Sequence, residues 1–119
     1  MQKSSLLEIL RTFSNQELIK FEDFVRSPYF NKIKNVINLF VQINKYAPDF
    51  LNENLGKEKI WNKLFPGKNY NYGIMKNLIH ELNKLAIKFI ELENYNQLKY
   101  ESSVNVIQQY KSRGLLNLF

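Results

Sequence analysis

Cysteine is absent from the chain. Disulfides, thiolate nucleophiles and Cys-ligated metal sites are excluded together, and the absence fits a reducing compartment; the expected location is the cytoplasm. Histidine occurs once, as His80, which leaves no second imidazole to share a metal ion. Glycine and proline number only four and three. An all-β chain needs roughly one turn every ten residues, so helices with short connections are the expected elements. No segment approaches the ~18 uninterrupted apolar residues of a membrane span. The opening Met1-Gln2-Lys3-Ser4-Ser5-Leu6-Leu7-Glu8 sets a carboxylate where a signal peptide needs its apolar run. No membrane partner is expected.

What the chain does have is material for a core. Apolar residues make up 45% of its 119 positions, with nine Phe and seven Tyr. That is enough apolar surface to offset chain entropy in a single domain. Leu6, Leu7, Ile9 and Leu10 predict a first helix over residues 5–12. Ser14-Asn15-Gln16-Glu17 then spells a capping box, with Phe13 before it as a hydrophobic staple. Leu18, Phe21 and Val25 follow at helical spacing. Ser27-Pro28 ends this second helix, because the residue before proline is pushed out of the α region. Tyr29 and Phe30 are expected to pack inward, and Asn31 to cap a third helix with Ile33, Val36, Ile37, Phe40 and Val41 on its apolar face.

Tyr46-Ala47-Pro48-Asp49 stops that helix. A short fourth helix is expected over 57–65, carrying Ile60, Trp61, Leu64 and Phe65, and Pro66-Gly67 breaks it. The fifth is the longest: Met75, Leu78, Leu82, Leu85, Phe89 and Leu92 step by three and four in a heptad-like seam, widened by Ile74, Ile79, Ala86 and Ile90. So broad a stripe suits the central helix of a bundle. Beyond Asn94 the pattern weakens, and the helix either continues or kinks at Asn94-Tyr95-Asn96. The chain closes on Leu115, Leu116, Leu118 and Phe119 with Asn117 between them. Termini are usually polar, so the expectation is a helix cut short and a protein that continues.

Catalytic groups are scarce. His80 stands beside Glu81, but neighbours on a helix point about 100° apart and do not form a base and its orienting partner. Lys76 and Lys84 occupy the i−4 and i+4 positions where further metal ligands would sit. No glycine-rich loop follows a strand, so no phosphate-cradling fingerprint is present. The expectation is a chain without catalytic role, metal or cofactor.

Charge is the more informative pattern. The formal net charge is +6, and residues 57–88 carry seven lysines (57, 59, 63, 68, 76, 84 and 88) against Glu58 and Glu81, a net of +5. Lys76, His80, Lys84 and Lys88 are successive i+4 positions on the side of the fifth helix away from the leucine seam. With Lys63 and Lys68 they form the candidate face for nucleic acid or an acidic partner. The same lysines also serve as an ordinary solubilising face, and Ile87 interrupts the row.

Two resemblances bear on this segment. Residues 57–67, Lys-Glu-Lys-Ile-Trp-Asn-Lys-Leu-Phe-Pro-Gly, followed by Met75 to Leu85, resemble part of a winged helix-turn-helix of bacterial activator-type regulators. That resemblance implies Lys76, Lys84 and Lys88 as the groove-facing row. The connection from Pro66 to Gly73 is longer than the family's turn, and the helix runs past Leu92. Over more of the chain, Phe21 to Asn31 with its Ser-Pro-Tyr-Phe-Asn run, then Leu64-Phe65-Pro66-Gly67 and the seam through Leu92, are similar to the start of a group of long bacterial proteins of uncharacterised function. Those proteins continue into helical repeats. The resemblance implies helical architecture and continuation, and no activity.

The expected fold is therefore all-α, a compact bundle of five or six helices with a long C-terminal central helix. Residues 1–93 are the expected bundle domain and 94–119 a helical extension. The expected core is Leu18, Phe21, Val25, Ile37, Phe40, Trp61, Leu64, Phe65, Leu78, Leu82, Leu85 and Phe89. The expected function is a non-catalytic interaction module of a larger scaffold. Leu115, Leu116, Leu118 and Phe119 would meet a protein partner, the downstream helical region or a second copy. The alternative is a nucleic-acid-binding helical domain using the lysine row.

Overall fold

Helix starts and stops follow local chemistry closely. The computed structural model describes residues 5–100, with side chains through residue 96. Its elements are α1 (Ser5–Arg11), α2 (Asn15–Arg26), α3 (Lys34–Asn44), a 3-10 turn (Glu53–Leu55), α4 (Lys57–Leu64) and α5 (Tyr72–Tyr100). The fold is all-α, with no strand among the described residues. α5 continues without a break through Asn94-Tyr95-Asn96. The chain divides into two units, Met1–Ile87 and Lys88–Phe119. Leu115, Leu116, Leu118 and Phe119 lie outside the described residues.

The capping box at α2 is complete. Ser14 Oγ accepts from the Glu17 N–H at 3.1 Å, and Glu17 Oε1 accepts from the Ser14 N–H at 3.0 Å. Phe13 is buried just before it, its ring edge-on to Phe21 at 5.5 Å. Ser14→Ala removes one of these two bonds, and the loss expected in a thermal melt is about 1 kcal/mol. A melting point unchanged within error would show that tertiary packing alone holds the start of α2.

α3 departs from expectation in two ways. Its N-cap is Ile33, with no side-chain hydrogen bond, rather than Asn31. The Asn31 amide is occupied elsewhere. Its Nδ2 donates to the Val25 carbonyl at 2.9 Å and the Ile33 carbonyl at 3.2 Å, while Oδ1 accepts from the Ile33 N–H at 3.0 Å. The buried face of α3 is also turned. Val36, Leu39, Phe40 and Ile43 are buried, whereas Ile33 is 40% exposed and Ile37 and Val41 are half-buried. Apolar residues cover a little over half of this helix's circumference, so periodicity alone could not choose which part of that arc is buried.

The core of the Met1–Ile87 unit contains the expected Leu18, Phe21, Val25, Phe40, Trp61, Leu78 and Leu82. Leu64, Phe65 and Leu85 are only half-buried, like Ile37. Leu39, Ile43, Phe50, Leu55, Ile60 and Ala86 take their places, with α1 adding Leu6, Leu7 and Leu10. In the Lys88–Phe119 unit, Phe89 is buried as expected. Phe50 is buried in an unusual conformation, with φ of 52° in the left-handed region. Burial of its ring offsets a strain of about 1 kcal/mol or more. Arg11 holds this loop: Nε donates to the Asp49 carbonyl at 2.7 Å and Nη2 to that of Phe50 at 3.1 Å.

The connection from α4 to α5 is a tight turn closed by the Lys68 N–H on the Phe65 carbonyl. Gly67, with φ of +79°, sits where a type II turn demands a positive φ after proline. Trp61 Nε1 donates to the Lys68 carbonyl at 3.1 Å and ties the turn down. Asn71 then caps α5, its Oδ1 accepting from the Ile74 N–H at 3.0 Å.

Candidate functional site

Two surfaces of the Met1–Ile87 unit stand out, and the first is the corner between α2 and α3. Ser27 leaves α2 in an extended conformation, as the following proline requires. The Phe30 and Asn31 N–H groups both return to the Ser27 carbonyl, at 3.1 and 2.9 Å. Asn31 turns inward and is buried, while the two aromatics before it turn out: Tyr29 is 87% exposed and Phe30 40%. The expectation that both pack inward is therefore corrected. The polar amide is the group drawn inside, because the last turn of α2 presents an orphan carbonyl at Val25 that needs a donor. Phe30 is instead stacked on half-buried Phe24 at 4.3 Å, and Tyr29 meets Phe30 edge-on at 4.9 Å.

The second surface is the lysine face. Lys63, Lys68, Lys76, His80 and Lys84 are all exposed, and Lys88, which opens the other unit, is exposed as well. They are not one uniform patch. Lys63 donates to the Tyr46 hydroxyl at 3.0 Å and lies 5.4 Å from that ring's centroid. This hydrogen bond is the main reason the Tyr46 phenol titrates below its ordinary value. Lys68 lies over Phe65 at 5.8 Å, and Lys84 pairs with Glu81 at 3.3 Å. Lys76 lies 5.9 Å from the Tyr72 centroid, and Lys57, from the first turn of α4, lies 5.3 Å from the same ring.

Sequence spacing links some of these residues and misses others. Tyr72 sits one i−4 step before Lys76, so the row Lys76, His80, Lys84 extends back to it. Lys57 reaches that row only through the α4–α5 turn, which spacing along a helix does not show. A strict i+4 row also winds about 40° per step round the axis, so Tyr72 lies at the flank facing α4 and Lys84 far round the solvent side.

Neither surface gathers catalytic or metal-binding groups. His80 is exposed, and Glu81 accepts from Lys84 rather than from the imidazole's neighbourhood. No cluster of three His, Asp or Glu side chains able to hold a metal ion occurs among the described residues. No helix among them is long and apolar enough to cross a membrane. Comparison with known protein families, with characterised proteins and with solved structures finds no match to this chain.

Proposed function

We propose that this chain is a non-catalytic interaction module that docks a protein partner through the aromatic corner. The observation that carries the reading is Tyr29, 87% exposed on a corner whose backbone is hydrogen-bonded in place. Tyrosine is enriched among the residues that dominate binding energy at interfaces. A corner whose backbone is already fixed loses less chain freedom on docking, which lowers the entropic cost of association. Phe30, stacked on Phe24, and Ile33, 40% exposed, extend the apolar surface beside it. The matching partner surface is an apolar pocket wide enough for one ring, with a polar group at its end for the phenol hydroxyl.

The test replaces Tyr29 with a photo-crosslinking phenylalanine analogue in the full chain, expressed in its native cells. One discrete adduct is expected, displaced by excess wild-type chain and at least tenfold less well by Tyr29→Ser/Phe30→Ser. Both substituted side chains are exposed, so the double variant is expected to stay within about 1 kcal/mol of wild-type stability. Leu51, 63% exposed elsewhere, is the control position. Equal labelling from residue 51 would mean general stickiness and sink the reading. An adduct between two copies of the chain would make the partner itself.

A further inference from the structure

The entrance of α5 brings two cations from different elements onto one exposed ring. Lys57 of α4 and Lys76 of α5 lie 5.3 and 5.9 Å from the centroid of Tyr72, which is 55% exposed. We propose that this is a binding site for single-stranded nucleic acid, with the Tyr72 ring stacking on one base and Lys57 and Lys76 taking the flanking phosphates. The site is separate from the aromatic corner, and neither proposal depends on the other.

Charge comes first. Both ammoniums lie within 6 Å of the ring centroid, so a phosphate that reaches the ring meets two positive charges. The surrounding segment, residues 57–88, carries five of the chain's six net positive charges. Of its two glutamates, Glu81 is engaged by Lys84, and Glu58 lies about 100° round α4 from Lys57. From Tyr72 the row continues through exposed Lys76, His80 and Lys84. Its steps rise about 6 Å along the axis and wind about 40° round it, so a strand that follows the row curves round α5.

The ring selects the form of the nucleic acid. An aromatic side chain can stack only on a base whose face is open, as in a single strand; the bases of a duplex are already stacked. Arginine, the usual reader of base edges, is missing from the segment: the three arginines are at positions 11, 26 and 113. Binding is therefore expected to tolerate any sequence. Lys63 and Lys68 are directed to Tyr46 and Phe65 and are not part of the site.

The experiment is a fluorescence-anisotropy titration of the full chain with labelled 12-mers of oligo-dT and oligo-rU, a 12-base-pair duplex and a polyglutamate peptide. Micromolar binding of both single strands at ~50 mM salt is expected. With two lysines on phosphates, raising the salt to ~200 mM weakens it roughly sevenfold. Tyr72→Leu should lose about tenfold and Tyr72→Phe less than twofold, since only the latter keeps the ring. Lys57→Glu/Lys76→Glu should abolish binding while leaving the melting temperature near wild type. No single-strand binding at ~50 mM salt would overturn the proposal. So would duplex or polyglutamate binding as tight as the single strands, or a Tyr72→Leu variant that binds like wild type. A preference for one single strand over the other assigns the site to RNA or to DNA.

Discussion

Asn31→Leu is expected to destabilise the Met1–Ile87 unit by about 2–4 kcal/mol, although leucine is close to asparagine in size. Asn31 is only 8% exposed, and its amide makes three hydrogen bonds to the backbone. Leucine leaves the Val25 carbonyl and the Ile33 N–H without these partners, and a buried polar group left unsatisfied costs about 1–3 kcal/mol. For a unit of this size each kcal/mol lowers the melting temperature by about 4–8 °C, so a drop on the order of 15 °C is expected. Asn31→Asp adds a test through pH. A carboxylate cannot donate, and the oxygen in place of Nδ2 would face the Val25 and Ile33 carbonyls. Its folded-state pKa is therefore raised above the unfolded value near 4. With the folded pKa raised, stability is lost as pH climbs from the unfolded value through the folded one, so this variant should lie nearer wild type at pH 3–4 than at pH 7. Melting points within 2–3 °C of wild type for both variants would show that the corner is held by packing alone.

The same corner shows where sequence reasoning succeeds and where it stops. Ser14 with Glu17, Ser27 before Pro28, and Pro66-Gly67 each specify a local conformation through their own chemistry, and each boundary falls where expected. Asn31 carries an equally local signal, since asparagine favours helix starts. Its side chain nevertheless crosses back to Val25, six residues earlier, because the end of α2 offers an orphan carbonyl at the right distance. Once the amide is pulled in, Tyr29 and Phe30 are forced out. A propensity scale reads them as core, and only the competition for a hydrogen-bond donor makes them surface.

The candidate lysine face was legible to a similar degree. Spacing places Lys76, His80 and Lys84 on the outer side of α5, and all three are exposed. That Lys57 meets Tyr72 depends on the turn closed by Gly67 and pinned by Trp61, which is a tertiary fact. Half-burial of Leu64 and Phe65 has the same origin. Ile60 and Trp61 together fill the inner face of α4, and Phe65, already at the C-cap, rests against the Trp61 ring at 4.4 Å.

Phe21→Ala is expected to cost about 3–5 kcal/mol, somewhat more than Asn31→Leu. Phe21 is wholly buried, and its ring joins three segments: edge-on to Phe13 at 5.5 Å, edge-on to Phe40 of α3 at 5.1 Å, and stacked with Phe24 at 6.3 Å. Edge-on pairs add roughly 0.5–1.5 kcal/mol each beyond burial, so the cost reflects geometry as well as volume. Phe21→Leu keeps most of the volume and loses the edge-on contacts; a loss of about 1–2 kcal/mol is expected. Phe24→Ala removes a half-buried ring and should fall between the two, near 2 kcal/mol. Denaturant melts of the three variants separate the contributions. If Phe24→Ala cost as much as Phe21→Ala, the stabilising centre would lie at the aromatic corner, whose rings would then serve the fold. The reading of Tyr29 and Phe30 as a docking surface requires the opposite order, in which Phe21 holds the core and the corner can be altered at small cost.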